Sequence, residues 1–292
     1  MKKILIWLLF LLIAFNSFAQ AKVAHLELPK AKPSDQITTH TGYTLSYNSN
    51  YHIANWVAYE LTEKETTPVV KRNNHFIPDP LLSSGSASNS DYKGSGYDKG
   101  HLAPSADMCY SYQTMAESFY LSNITPQTPS FNRGIWAKLE KQVRQWAIDD
   151  KAVYVVTGTV LTKGLPTIGY DRIAVPAYFY KVILDYTEPD IKGIGFIVPN
   201  QGSEEPLQYY AVTIDSVEKV TGTDFFYQLP DDQEKIIEST IDLSKWSWTS
   251  SSAHNKEKSS TSVQCKGTTK TGTQCSRMTY SPNGKCWQHG GD

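Results

Sequence analysis

Three runs of β-branched and aromatic residues constrain the fold of this 292-residue chain most strongly. They read KAVYVVTGTVL, AYFYKVILDY and IKGIGFIVPN, and Gly, Pro, Asn or Asp residues bound them. Such runs are typical of the central strands of a sheet. Two further segments, GYTLSYNS and NWVAYELT, alternate apolar and polar residues as half-buried strands do. The sequence therefore predicts one sheet with a sizeable apolar core.

Helical periodicity appears between and after these strands. The segment FNRGIWAKLEKQVRQWAIDD places Ile135, Leu139, Val143 and Trp146 at helical spacing. The segments SVEKVTG and DQEKIIES predict two shorter helices. Because the strands come in clusters and do not alternate regularly with helices, we predict an α+β fold.

The amino terminus predicts export. Lys2 and Lys3 precede an apolar run from Ile4 to Phe15, and small residues precede a cut after Ala19, as in a secretory signal peptide over residues 1–19. The alternative is an uncleaved membrane anchor, although the run is shorter than the ~20 residues that span a bilayer. We expect a secreted or periplasmic protein that has no membrane contact after cleavage.

Composition divides the rest of the chain into three parts. Residues 20–248 predict the main domain, residues 249–263 a flexible linker rich in Ser, Thr and Lys, and residues 264–292 a small separate module. Residues 251–292 hold six basic and two acidic residues, a formal charge of +4. The mature chain has a formal charge of −3, so the main domain carries about −7. Such a body repels a polyanion unless a local cluster of Lys and Arg reverses the field.

The stretch SGYDKGHLAPSADM contains the most informative motif, DKGH. By itself DKGH fits a surface turn with a solvated histidine. The downstream segment YLSNITPQTPSFNRGIWAKLEKQVR adds a set of polar residues, namely Asn123, Gln127, Asn132, Glu140 and Arg144. Together the two segments resemble the DNA/RNA non-specific endonucleases, the ββα-metal nucleases of the Serratia nuclease and endonuclease G type. Their signature is Asp-Arg-Gly-His, with a metal-binding Asn about thirty residues later, and the resemblance runs from roughly Gly42 to Leu243.

The resemblance implies a central antiparallel sheet flanked by helices, with an embedded ββα-metal motif. It also implies sugar-non-specific hydrolysis of phosphodiester bonds in DNA, RNA or both, with Mg²⁺ or Mn²⁺ held by Asn132 and His101 as general base. These roles suit the residue types. A neutral histidine accepts a proton near pH 7, and a single amide oxygen leaves Mg²⁺ mostly hydrated, which this ion tolerates.

Further residues receive roles from the same motif. In a continuous helix Asn132 and Glu140 lie ~12 Å apart, so we expect Glu140 to act through a metal-bound water. Glu140 also has the spacing for an ion pair with Arg144, which would direct Arg144 towards the phosphate. The alternative for both residues is an ordinary solvated helix face. Asn123 either orients the histidine, binds substrate or is only a turn residue.

Charged residues near the motif are expected to bind phosphate, namely Arg72, Lys99 and Arg133. Asp98 is expected to brace the loop or the surroundings of the histidine and not to contact the metal. Lys99 stands where the family signature has Arg, and lysine lacks the planar fork that grips two phosphate oxygens. This departure leaves a non-catalytic nucleic-acid-binding protein as an alternative. A phosphatase or phosphodiesterase acting on small molecules is a second alternative.

The carboxy-terminal module carries Cys265, Cys275, Cys286 and His289. Three thiolates and an imidazole form a closed tetrahedral zinc set, and the segment resembles small modules with three cysteines and one histidine. We therefore expect a structural Zn²⁺ ion. The alternative is disulfide formation, including a bridge from Cys109 to the module.

Overall fold

A computed structural model of the chain describes residues 23–249, 263–269, 272–276, 278–279, 284–285 and 289. The expected signal peptide and Cys286 lie outside the described residues. The chain divides into two compact units, Met1–Ser247 and Trp248–Asp292. Among the described residues, no helix combines the length and apolar character needed to cross a bilayer.

The strands of the first unit are β1 (Gln36–Thr39), β2 (Thr44–Asn48), β3 (Ile53–Thr62), β4 (Asp98–His101), β5 (Ile124–Gln127), β6 (Ala152–Thr159), β7 (Thr167–Ile168), β8 (Ile173–Ala174), β9 (Tyr178–Asp185), β10 (Lys192–Pro199) and β11 (Ala211–Val212). Seven of them form one sheet in the order β1-β2-β3-β6-β9-β10-β11. Every neighbouring pair in this sheet is antiparallel. Two smaller antiparallel pairs, β4-β5 and β7-β8, lie outside it.

Helices follow or precede these strands along the chain. The α-helices are α1 (Asn89–Tyr92), α2 (Tyr112–Glu117), α3 (Ala137–Asp149), α4 (Ile214–Thr221) and α5 (Asp231–Ser239). A π-helical turn, Phe131–Trp136, leads directly into α3. Short 3₁₀ turns occupy Glu63–Thr66, Leu121–Asn123, Leu207–Tyr210 and Leu243–Lys245. The predicted α+β fold with a central antiparallel sheet is confirmed.

The two faces of the sheet bury different partners, as the alternation along β9 shows. Tyr180 and Val182 join the apolar cluster that includes Ile214 and Ile237 of α4 and α5. Phe179 instead packs on Trp136, the last residue of the π-helical turn before α3, with ring centroids 5.6 Å apart. The four apolar residues predicted for the inner face of the long helix, Ile135, Leu139, Val143 and Trp146, are at most 1% exposed.

Two glycines of β10 allow α4 and α5 to approach the sheet closely. A Cβ atom on Gly193 would lie 2.7 Å from Ile214 Cδ1 and 2.8 Å from Ile237 Cγ2. A Cβ atom on Gly195 would lie 2.7 Å from Val217 Cγ2. Carbon atoms do not approach this closely without displacement of one of them. The absence of side chains at these positions therefore sets the spacing between both helices and the sheet.

We predict that Gly193→Val lowers the free energy of unfolding by about 1–3 kcal/mol, because the valine overpacks the interface with α4 and α5. Tyr178→Val is the matched control, since Tyr178 is 46% exposed at the start of β9, and a surface substitution costs about 0.5 kcal/mol or less. Urea denaturation of both variants measures the difference. Equal stability of the two variants would contradict the role of Gly193.

Candidate active site

The strand pair β4-β5 and the helix that follows it form a ββα unit. Asp98 of β4 lies opposite Gln127 of β5, and His101 lies opposite Ile124. The pair is tight because a Cβ atom on Gly100 would overlap the side chain of Gln127. The DKGH sequence is therefore a strand, and the glycine allows the buried Gln127 to cross it.

Asp98 connects this hairpin to the helix. Its Oδ2 accepts hydrogen bonds from Asn132 Nδ2 and Arg133 Nε, both at 2.8 Å, and its Oδ1 accepts from Arg133 Nη2 at 2.7 Å. Although burial opposes ionisation, the hydrogen bonds from Arg133 and Asn132 lower the pKa of Asp98. Asp98 thus ties β4 to the turn that carries Asn132, and the Asn132 amide is oriented with its nitrogen towards Asp98.

The backbone around Asn132 differs from the continuous helix that the ~12 Å estimate assumed. Asn132 lies in the π-helical turn, and Gly134 interrupts it with φ −107° and ψ −112° before α3 begins at Ala137. Because of this break, the rise of a regular helix does not give the separation between Asn132 and Glu140. The assumption of one regular helix was wrong.

His101 is 7% exposed and surrounded by aromatic rings. Its ring centroid lies 4.9 Å from that of Phe119 and 5.6 Å from that of Phe76. Burial, with a smaller contribution from the charge of Arg72, lowers the pKa of His101 to about 3. The imidazole is therefore neutral at physiological pH. Its Nε2 atom is buried without a hydrogen-bond partner among the described residues.

Asn123 supports the chain that follows His101. Its Oδ1 accepts from the Ala103 backbone N at 2.8 Å, and its Nδ2 donates to the carbonyl oxygens of Ala103 and Ser118. The side chain is fully buried. This geometry favours the orienting role over substrate contact, because both polar atoms of the amide are already bonded to backbone.

Arg144 forms an ion pair with Asp107, and the expected pair with Glu140 was wrong. Arg144 Nη1 lies 2.7 Å from Asp107 Oδ1, while the Tyr59 hydroxyl donates to Asp107 Oδ2 at 2.7 Å. Asp107 is fully buried and fixed by Tyr59, so it offers Arg144 an immobile carboxylate. Sequence reasoning missed Asp107, although it lies six residues after His101 in the stretch SGYDKGHLAPSADM.

Lys181 was also missed. It is the only charged residue inside the apolar β9 run before Asp185, and its side chain is fully buried. Its Nζ donates to Thr157 Oγ1 and lies 5.1 Å from the centre of the Trp136 ring. Burial raises the pKa of half-buried Glu140 and lowers the pKa of Lys181. The two opposite charges lie close to each other, so each reduces the pKa shift of the other group. The two groups therefore belong to one electrostatic cluster with Arg144 and Asp107.

The expected phosphate-binding residues occupy different environments. Arg72 donates to Ser105 Oγ and Asn74 Oδ1, and its guanidinium lies 5.2 Å from the Phe119 ring centre. Lys99 Nζ donates to Asn89 Oδ1 at 2.7 Å and lies 4.1 Å from the Phe76 ring centre. The Arg133 side chain is 72% exposed and bound by Asp98. Arg72 and Lys99 thus sit on the two aromatic rings that flank His101.

The second unit brings three of the expected zinc ligands together. The ligand atoms of Cys265, Cys275 and His289 all lie within 4.8 Å of one another. Cys265 Sγ lies 3.4 Å from His289 Nδ1, and the Gly267 backbone N donates to the same sulfur at 3.3 Å. Cys109 is a buried, unbridged thiol of the first unit.

Residues 27–232 match the family model described as DNA/RNA non-specific endonuclease. The chain belongs to this family. A nuclease from Nostoc sp. is 33% identical over 225 residues, which cover 73% of this chain and 81% of the relative. The mitochondrial nuclease EXOG of Danio rerio is 36% identical over 211 residues, 66% of this chain and 62% of the relative. Human mitochondrial endonuclease G is 33% identical over 202 residues, 64% of this chain and 68% of the relative.

A solved structure supports the same assignment. The crystal structure of the EndoG/EndoGI complex, which concerns the inhibition of EndoG, matches with a TM-score of 0.66 and 30% identity. The match covers 72% of this chain and 92% of that chain. The chain spans less than two thirds of the length of EXOG. The family and these relatives support endonuclease activity.

We predict that Asp107→Asn lowers the free energy of unfolding by roughly 3 kcal/mol, because loss of the carboxylate leaves the largely buried Arg144 without its anion. Tyr59→Phe is the matched control, since it removes one hydrogen bond from the same carboxylate and keeps the ion pair. Denaturant titration should show Asp107→Asn as the less stable variant by at least about 1 kcal/mol. The reverse order would contradict the role of Asp107 as the partner of Arg144.

Proposed function

We propose that this chain is a secreted, metal-dependent endonuclease that hydrolyses phosphodiester bonds of DNA, RNA or both without regard to base sequence. The observation that carries the proposal is the ββα unit, in which a neutral histidine ends β4 and an asparagine braced by Asp98 precedes α3. The names of the relatives, a nuclease, EXOG and endonuclease G, support the reaction class. The sequence of residues 1–19 supports export.

The residues fit a hydrated divalent cation at Asn132. Since Asn132 Nδ2 donates to Asp98, Oδ1 is the atom left to bind a hard cation such as Mg²⁺ or Mn²⁺. Glu140 supplies a half-buried carboxylate for water around such an ion. When bound, the ion would neutralise charge that develops on the phosphoryl oxygens.

His101 is the proposed general base. Its neutral imidazole accepts a proton from the attacking water, and the rings of Phe76 and Phe119 fix its plane. A substrate phosphate near Arg72 would offset the positive charge that helps to lower the pKa of His101. Binding of the anion therefore makes the imidazole a stronger base than it is in the unbound enzyme.

Arg72, Arg144, Lys99 and Arg133 are the proposed phosphate contacts. Arg72 and Lys99 flank His101, whereas Asp107 holds Arg144 in one orientation. These groups recognise the backbone of a nucleic acid and not its base edges, so the activity is expected to be indifferent to sequence. Replacement of the family Arg by Lys99 changes a planar two-point contact into a single point charge.

The central test compares identical substitutions at two histidines. His101→Asn removes the base and is expected to slow nicking of a supercoiled plasmid in Mg²⁺ by ~10²-fold or more. His25→Asn is the control, because the His25 side chain is 76% exposed and Asn tolerates its φ of 55°. Both proteins are first compared by thermal unfolding to establish that each is folded.

Equal cutting by both variants would exclude His101 as the base. Failure of the unmodified protein to cut with Mg²⁺, Mn²⁺ or Ca²⁺ would favour the non-catalytic binding protein. Cutting of small phosphodiesters without cutting of polymers would favour the phosphodiesterase alternative.

We further propose that Cys265, Cys275 and His289 bind a structural Zn²⁺ ion together with Cys286. The clustered ligand atoms support this set, and the Gly267 N–H directed at Cys265 favours a thiolate. Elemental analysis of the full chain should find about one zinc per molecule, and Cys265→Ser should lose it. Cys109→Ser is the control, because Cys109 lies in the other unit. Retention of zinc by Cys265→Ser would refute the assignment.

A further inference from the structure

Three carboxylates meet where α4 packs beside α5. Asp215 and Glu218 lie one turn apart on α4, and Glu238 is the second-last residue of α5. Their nearest ligand oxygens all lie within 4.8 Å of one another. Like charges at this separation repel one another, so the arrangement needs a physical cause.

Packing of the apolar neighbours causes the carboxylates to meet. Ile214 and Val217 precede Asp215 and Glu218 along α4, and Ile237 precedes Glu238. All three apolar residues are buried in one cluster against the sheet. Because Gly193 and Gly195 seat both helices close to β10, burial of these side chains fixes the adjacent acidic residues beside one another.

Glu238 is the decisive member of the cluster. It is only 6% exposed, and its Oε1 is buried without a hydrogen-bond partner among the described residues. Burial of a polar atom without a hydrogen bond reduces the free energy of unfolding. The charges that act most strongly on Glu238 are all negative and belong to Glu218, Glu234, Asp215 and Asp224. Of these, Asp224 is paired with Lys30.

We propose that Asp215, Glu218 and Glu238 bind a calcium ion. Three carboxylates form an all-oxygen set, which a hard cation prefers, and calcium accepts irregular geometry with water completing six to eight ligands. Asp215 is exposed and leaves room for that water. One oxygen of Glu218 already accepts from the Phe225 backbone N at 2.7 Å, which fixes the carboxylate. The site lies on the α4 and α5 face of the sheet, opposite the face that packs on α3.

The test measures thermal unfolding of the full chain, first in chelator and then in excess Ca²⁺. Unmodified protein should gain roughly 5 °C or more in Tm when free Ca²⁺ is about 100 times Kd. Glu238→Gln and Glu218→Gln should lose this gain, and Gln at position 218 retains the acceptor for Phe225. In chelator, Glu238→Gln should be more stable than unmodified protein because the repulsion is relieved.

Two controls separate this site from other binding. Glu204→Gln removes a fully exposed carboxylate and should keep the full gain. Asn132→Ala removes the proposed active-site ligand and should also keep it, so the result does not depend on the proposed function. Mg²⁺ at the same concentration should give a smaller gain.

Three results would overturn the proposal. The first is an unchanged Tm of the unmodified protein up to about 10 mM Ca²⁺, well above the ~10⁻³ M of weak protein calcium sites. The second is an equal Ca²⁺ response in Glu238→Gln and unmodified protein. The third is a Mg²⁺ response that equals or exceeds the Ca²⁺ response, which would refute calcium as the ion.

Discussion

The hydrogen bonds of Asp98 join the two halves of the candidate active site. The hairpin β4-β5 carries His101, whereas the π-helical turn and α3 carry Asn132, Glu140 and Arg144. Asp98 accepts from Asn132 and from two nitrogens of Arg133. Charge-assisted bonds of this kind are short and directional. They fix the asparagine amide relative to the strand that ends in the histidine, so a residue outside the reaction controls the geometry of the proposed metal ligand.

The local charge explains how an acidic domain can receive a polyanion. The positive charges of three basic groups near α3 act on Glu140, namely those of Arg72, Arg144 and Lys181. Two carboxylates, Glu140 and Asp107, supply the negative charge of the same cluster. The cluster therefore has an excess of basic groups, although the domain as a whole is acidic. Burial strengthens this local field because the surrounding dielectric is low. The negative charge of a bound phosphate would neutralise the positive charge that Asp107 and Glu140 do not neutralise.

The extent of sequence-based prediction follows the range of each interaction. The main strands and the buried face of α3 were predictable because periodicity is local, and the family motif located the region of His101 and Asn132. The partner of Arg144 was not predictable in this way. Glu140, four residues before Arg144 on the same helix, was the predicted partner of Arg144. The partner in the structure is Asp107, which is 37 residues away in the sequence and accepts a hydrogen bond from Tyr59 of β3. Lys181 escaped notice because a strand pattern does not reveal which face meets α3.

The two faces of the sheet show how backbone packing can create opposite electrostatic sites. On the α3 face, buried Lys181 and the Arg144–Asp107 pair produce a positive environment beside the hairpin that carries His101. On the other face, Gly193 and Gly195 bring α4 and α5 so close that Glu238 is buried against Asp215 and Glu218. Apolar packing determines both arrangements, and the charged groups follow the backbone that carries them. An anion on the first face and a cation on the second would each neutralise a field that the packing of this sheet imposes.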